Sequence, residues 1–248
     1  MPKVSLKIDN NLFRGWEEIS IRRSIEALSG SFSLKLFDRW AEIDSAYPFR
    51  QGSKCDVLID SDTVINGYID AVSISYDHNN HSIVVTGRDK TADLVDCSVV
   101  HSTGEFKRVT LTDLARTLLS PFDIDVIKEA DIGERFEVFR IQTGETVHEA
   151  LERAARLRSV ILITDELGRL VITIPGSTQM QVALEEGKNI KSASASFDNS
   201  ERYSKYQDIG QQGATSDIYG SAEVSVAGEA VDATIERYRP LIVVAEDG

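Results

Sequence analysis

The sequence predicts a mainly β protein with a smaller α+β module: two barrel-like β domains flanking an α+β insert. Three observations predict it. Apolar and polar residues alternate with a period of two through most of residues 1–100, the pattern of half-buried strands. Between residues 105 and 176 the period changes to that of a helix, with two capped amphipathic segments. From residue 180 the alternation returns. A chain of 248 residues is long enough for about two domains of ~100–150 residues. The changes of period divide it into 1–104 (a barrel-like β domain), 105–178 (the α+β module) and 179–248 (a second barrel-like domain).

In the first region Val4, Leu6 and Ile8 alternate with Ser5, Lys7 and Asp9, and Asn10-Asn11 marks a turn. Alternation resumes at Ile19 and Ile21 and again over Ser31–Phe37, with Ser24–Gly30 between them ending in a Ser-Gly turn signal. Cys55–Asp60 and Thr63–Ile69 read as a hairpin with Ser61-Asp62 at its tip. Ala71–Tyr76 and Ser82–Thr86 read as a second hairpin, around Asp77-His78-Asn79-Asn80-His81. Strands this closely spaced, with short polar turns, favour a small barrel or sandwich.

In the module, Thr110 is placed to cap a helix whose Leu111, Leu114, Leu118 and Leu119 share one face, and Pro121 stops it. Thr146-Val147-His148-Glu149 is a capping box, followed by an apolar stripe of Val147, Ala150, Leu151, Ala154 and Leu157. Val160–Thr164 and Arg169–Ile174 then read as a hairpin around Asp165–Gly168. In the last region Ile190–Phe197 and Tyr203–Gly210 read as strands, the latter anchored by Tyr206 and Ile209, and the Gly-, Gln- and Ser-rich residues 210–222 as a loop. The apolar run Leu241–Ala245 reads as part of an unfinished domain, so the native protein is expected to continue beyond it. No repeat is visible as sequence identity.

Charge and motif content narrow the function. With 27 Lys and Arg against 40 Asp and Glu, the net charge is −13 and the pI about 4.8. Such a surface repels phosphate backbones and anionic lipid, which disfavours tight nucleic-acid or membrane-surface binding. No stretch approaches the ~18–20 apolar residues of a membrane helix, and the N-terminus has no signal-like apolar segment, so synthesis and retention in the cytosol are expected. Cys55 and Cys97 form no disulfide framework and read as two reduced, half-buried strand cysteines.

The four histidines are His78, His81, His101 and His148. His78 and His81 with Asp77 make a conceivable weak metal site, but a solvated hairpin tip explains them better, since no further His or Cys clusters nearby. His148 and Glu152 lie one helical turn apart outside any H-E-x-x-H pattern and read as an exposed helix face. Gly87-Arg88-Asp89-Lys90-Thr91 has the Lys-Thr of a phosphate loop without its two spaced glycines. No Gly-x-Ser-x-Gly elbow occurs. The carboxylates are numerous enough to hide an acid pair of the glycosidase type, but in a chain this acidic they read as solvated. Trp16 and Trp40 read as core or subunit-interface residues.

The stretch Leu12–Phe32, with Gly15-Trp16, Ile21-Arg22-Arg23-Ser24-Ile25-Glu26 and Gly30-Ser31-Phe32, resembles the opening of the Mu-like prophage tail protein P family. Gly87-Arg88-Asp89 with Leu94-Val95-Asp96-Cys97-Ser98 resembles another segment of that family. Gln142–Thr146 with Asp165–Leu170 resembles its middle module, and Arg237–Leu241 a later segment. The resemblance spreads over the whole chain. It implies a structural protein similar to the hub of T-even phage tails, with no catalytic, cofactor-binding or metal-ligating residue. It implies a homotrimer in which two barrel-like domains per chain alternate around a ring, joining a sixfold tail tube to a threefold central spike. The implied partners are the spike protein and tail tube or baseplate proteins, with DNA only as passing cargo and no stable membrane insertion. The implied location is the virion tail baseplate, after assembly in the host bacterial cytoplasm. Two other readings stay open at this level: a tail-associated cell-wall hydrolase, and a carbohydrate- or receptor-binding module.

Overall fold

A computed structural model of the chain describes residues 3–37, 49–76, 81–176, 183–190, 192–211 and 225–244. The chain divides into two compact units, Met1–Gly176 and Ser177–Gly248.

The first unit opens with a seven-stranded sheet. Its strands are β1 (Val4–Ile8), β2 (Asn11–Phe13), β3 (Glu18–Arg22), β4 (Ser31–Phe37), β5 (Lys54–Ile59), β6 (Asp62–Tyr76) and β7 (His81–Asp89), in the order β2-β1-β5-β6-β7-β4-β3. Every neighbouring pair is antiparallel. The chain is mainly β, as the alternation predicts. Among the described residues the order is open, running from edge β2 to edge β3 without closing into a barrel.

The period of two becomes a core because paired residues share a face. Leu6 pairs with Val57 and Val57 with Ile65, while Leu34 pairs with Val85, and all five are essentially inaccessible to solvent. Burying such a side chain contributes roughly 1.5–3 kcal/mol. The two strands predicted over 63–76 are one strand, β6, whose register shifts between Ile69 and Ala71. A bulge lets it bend without ending. The predicted tip at 77–80 lies outside the described residues.

The α+β module follows in the same unit. Its elements are α1 (Ala92–Asp96), β8 (Glu105–Val109), α2 (Leu111–Leu119), β9 (Val126–Lys128), β10 (Phe136–Arg140), α3 (Val147–Arg156), β11 (Ile161–Thr164) and β12 (Leu170–Thr173). β8 pairs antiparallel with β10. β12 lies between β11, antiparallel to it, and β9, parallel to it. Both predicted helices form, with Thr110 and Thr146 accepting the Asp113 and Glu149 amides. The predicted stripes face the core, except that Leu157 at the end of α3 is 47% exposed.

The two helical segments repeat each other in geometry without repeating in sequence. Thr146, Glu149, Ser159 and Val160 stand to α3 as Thr110, Asp113, Asp123 and Ile124 stand to α2. Each Thr caps its helix, Asp123 and Ser159 both take a left-handed conformation (φ 55° and 52°), and Ile124 and Val160 are both buried before the next strand. A helix ended by a left-handed residue turns the chain back on itself within one or two residues. The same device therefore delivers β9 and β11 to opposite sides of β12.

In the second unit, β13 (Lys205–Gln211) lies between β14 (Ser225–Val231), antiparallel, and β15 (Pro240–Val244), parallel. The strand expected over 190–197 does not form: residues 192–197 join no ladder and Phe197 is 95% exposed. Ser and Ala alternate there, and they bury too little to hold a strand in place. Among residues 183–190, 192–207 and 228–243 of this unit none is buried. Most of the predicted loop at 210–222 lies outside the described residues.

Candidate functional site

The groups that suggested chemistry are dispersed. Among the described residues no cluster of three His, Cys, Asp or Glu is placed to hold a metal ion. His78, Asp77 and Trp40 lie outside the described residues, as does the side chain of His81. His101 stacks on Phe106 with ring centroids 4.4 Å apart, and its Nδ1 accepts the Gly104 amide. His148 Nε2 lies 4.0 Å from Glu152 Oε2 across one turn of α3. Cys55 is buried in β5, where burial pushes its thiol up to about 12. Cys97 caps the C-terminal end of α1 and is exposed, so it is neither on a strand nor half-buried. Trp16 joins an aromatic cluster with Phe49, which packs edge-on against Phe13 at 4.9 Å.

The motifs instead converge on a joint between the sheet and the module. Gly87 sits inside β7 opposite Phe32, and a Cβ there would collide with the Tyr68 carbonyl oxygen and the Phe32 ring. Gly67 is equally closed, against the Arg88 carbonyl oxygen. The glycine that suggested a phosphate loop is thus a packing glycine. Arg88 bridges β6 and α1: its Nε donates to Asp70 Oδ2 at 2.7 Å and its Nη2 to Asp96 Oδ2 at 2.7 Å. The same bonds hold the Asp96 carboxyl below the usual carboxylate range.

Asp89 is 2% exposed and is the centre of the joint. Its Oδ2 accepts the Gly30 amide at 2.5 Å, and its Oδ1 accepts the Thr91 amide at 2.9 Å. The Thr91 hydroxyl lies 2.6 Å from Oδ1 and 2.8 Å from the Thr164 hydroxyl, which donates to the Leu28 carbonyl at 2.7 Å. From the same β3–β4 loop, Leu28 buries its side chain in the core of the module, the cluster to which Leu94 of α1 also belongs. Arg23 donates to the Thr164 carbonyl at 2.5 Å. The hairpin turn at Gly168 closes on the Asn66 carbonyl and the Lys90 side chain.

A second cluster continues from α1. The Val147 amide donates to the Cys97 carbonyl, the Val99 amide to the Glu145 carbonyl, and Ser98 bridges Thr146. Glu145 and Arg153 form an ion pair whose side chains are 7% and 9% exposed. Arg153 Nε and Nη2 each lie 3.0 Å from a Glu145 oxygen, and Nη2 also donates to the Arg140 carbonyl at 2.7 Å. The guanidinium lies over the Phe139 ring at 4.4 Å. In the second unit Arg239 donates to the carbonyls of Ser200 and Arg202 and lies over the Tyr203 ring, leading into β15.

These side chains pair with one another and hold elements together. Spacing along the chain could not reveal this, because Arg23, Leu28, Asp89 and Thr164 are far apart in sequence. The signal that could have found the joint is the polar-in-apolar placement of Asp89, at the end of an alternating strand, on its inward-facing phase.

Comparison with known proteins places this arrangement. Residues 3–89 match the family described as Mu phage baseplate assembly protein GpP-like, N-terminal, and residues 91–174 match baseplate hub protein gp44-like, second domain. The 43 kDa tail protein of prophage MuSo2 from Shewanella oneidensis is 40% identical, with a TM-score of 0.87 over all of this chain and 74% of that one. The chain belongs to the Mu-like baseplate hub protein family. Within the family, baseplate hub protein gp44 of Escherichia phage Mu is 35% identical over 98% of this chain. The chain spans 65% of the length of that relative. The tail protein of Neisseria meningitidis MC58, 23% identical, shares the fold with a TM-score of 0.82 over 100% of this chain and 72% of that one. The two matched regions adjoin at Lys90, within the joint.

Proposed function

We propose that the chain is a protomer of the baseplate hub of a contractile phage or prophage tail, with a structural rather than catalytic role. The observation that carries this reading is similarity to the phage Mu baseplate hub protein along 98% of the chain. The use of the motifs to tie the sheet to the module, with none of them forming a metal cluster among the described residues, supports it. In this reading three copies close a ring, because a threefold rotation turns heterologous contacts into a closed set. The ring joins the sixfold tail tube to the threefold spike, and the partners are the spike protein and tube or baseplate proteins. Its place is the virion tail, following assembly in the host cytoplasm. The seven-stranded sheet and the second unit supply the ring domains, and the module that begins at α1 stands between them in the chain. The net charge of −13 lets DNA pass a lumen without sticking, since few groups neutralise phosphate.

Light scattering coupled to size exclusion tests the ring. A solution mass of three times 27.4 kDa is expected. The mass of a single protomer at every concentration, 27.4 kDa for this chain and the correspondingly larger one for a chain extended to the length of the Mu relative, would overturn it.

A further inference from the structure

The joint contains one more oxygen contact than its hydroxyl protons can fill. Four oxygens stand in a row: Asp89 Oδ1, Thr91 Oγ1, Thr164 Oγ1 and the Leu28 carbonyl oxygen, separated by 2.6, 2.8 and 2.7 Å. Each distance is that of an O–H···O hydrogen bond, which needs one proton between its oxygens. The two hydroxyls bring two protons, and a carbonyl and an ionised carboxylate bring none. With Asp89 ionised, Thr91 donates to Asp89 and Thr164 to Leu28, and the 2.8 Å contact between them holds two lone pairs and no proton. We propose that Asp89 carries a proton in the closed joint, so that the row runs in one direction from Asp89 to Leu28 and closure of the sheet onto the module is linked to that proton.

The atoms balance with one added proton. Asp89 Oδ1–H donates to Thr91 Oγ1, Thr91 donates to Thr164 Oγ1, and Thr164 donates to the Leu28 carbonyl. Asp89 Oδ2 keeps the Gly30 amide and Oδ1 keeps the Thr91 amide. Ser29, which reaches either Asp89 Oδ1 at 3.1 Å or the Gly30 carbonyl at 3.2 Å, turns to the carbonyl. The charged groups around the joint are engaged elsewhere or face away. Arg23 of the β3–β4 loop is on the Thr164 carbonyl, Arg88 of β7 is on Asp70 and Asp96, and Asp165 after β11 is on Arg169. Lys90 packs its side chain at Gly168, and the Asp93 carboxyl of α1 is raised by its burial first and by neighbouring Asp96 second. Cys55 shares the cross-strand row of Gly67 and Asp89 and is neutral. Among the described residues no cation pairs with the Asp89 carboxyl. Burial pushes that carboxyl above its ordinary value of 3.8, against the pull of the Thr91, Gly30 and Ser29 donors.

The direction of the linkage follows. A carboxyl whose folded pKa is raised adds stability that is full below its unfolded value and is lost as the pH rises through the folded one. Each unit of elevation is a tenfold change in the closing equilibrium. The proposal stands on the joint's geometry alone, so it holds or fails independently of the ring.

The test is a carboxyl-carbon NMR titration of the chain labelled at aspartate, with D89N identifying the resonance by its loss. In the unmodified chain the Asp89 midpoint is expected above 3.8, with protection of the Gly30 amide from exchange falling across the same interval. A midpoint at or below 3.8 overturns the proposal without any further variant. T164V supplies the opposite-sign check. It breaks the protonated row at its centre and spares the Thr91 bond to an ionised Asp89, so the midpoint should fall, whereas T164S should keep it. If burial alone set the midpoint, removing a polar hydroxyl would raise it or leave it unchanged, and that result also overturns the proposal.

Discussion

Removing both partners of the Glu145–Arg153 pair should weaken the module by clearly less than the two single losses added together. With side chains 7% and 9% exposed, neither charge has water to fall back on. In R153M the Glu145 carboxylate stays buried with only the Gln142 amide on Oε2, and the Arg140 carbonyl and the Phe139 ring lose their cation. Breaking such a pair costs about 3–5 kcal/mol. E145Q leaves the guanidinium buried on a neutral amide and the Arg140 carbonyl, at a comparable cost of about 3–5 kcal/mol. The double variant E145Q/R153M buries no net charge. Its cost should fall at least ~2 kcal/mol short of the sum of the singles, within the range of coupling between contacting residues. Urea unfolding followed by circular dichroism, with the slope m held constant across the set, measures all three. Singles costing under ~1 kcal/mol, or a double that equals their sum within ~0.5 kcal/mol, would refute the view that this pair is buried and coupled.

G87A should destabilise by about 1–3 kcal/mol or more, because its Cβ meets backbone oxygen and a packed ring; a change under ~0.5 kcal/mol in urea unfolding would contradict the close packing of β7 on β6. T146A and T110A should each cost about 1 kcal/mol through loss of a cap. The reciprocal bond from the Thr146 backbone amide to Glu149 survives T146A and is removed by E149A, so E149A should carry a cost of its own, and no loss of stability in E149A would argue against the capping box. A thiol reagent at mildly alkaline pH should label Cys97 and spare Cys55, whose thiol stays protonated to about 12, and label both after denaturation; rapid labelling of Cys55 in the folded chain would show that β5 is not buried.

The sheet and both long helices were legible because each rests on local signals. Period-two alternation gave β1, β4, β5 and β7, and Thr146 with Glu149 announced α3. Elements without such signals were missed. β9 is three residues long and owes its place to parallel pairing with β12, and α1 spans five residues whose Leu94 is held by a core assembled from later chain. β14 contains a glycine and a glutamate and takes its register from β13. The bulge that makes β6 continuous is a property of two strands together. The family motifs could be recognised in sequence, but their purpose could not. Gly87, Arg88 and Asp89 are adjacent in the chain, yet they act toward β6, α1 and the β3–β4 loop respectively.

The placement of Leu28 has a consequence for the order in which this chain can be made. Its side chain belongs to a core that the ribosome has not yet produced, and its carbonyl waits for a hydroxyl 136 residues later. At ~5–20 residues per second, the nascent chain carries an unfilled loop for roughly 7–27 s. During that time the sheet can pair its strands, but Leu28 of the β3–β4 loop has no surface to cover it. The segment that ties the two parts of the finished unit is therefore open to chaperones and to wrong partners while the chain is being synthesised.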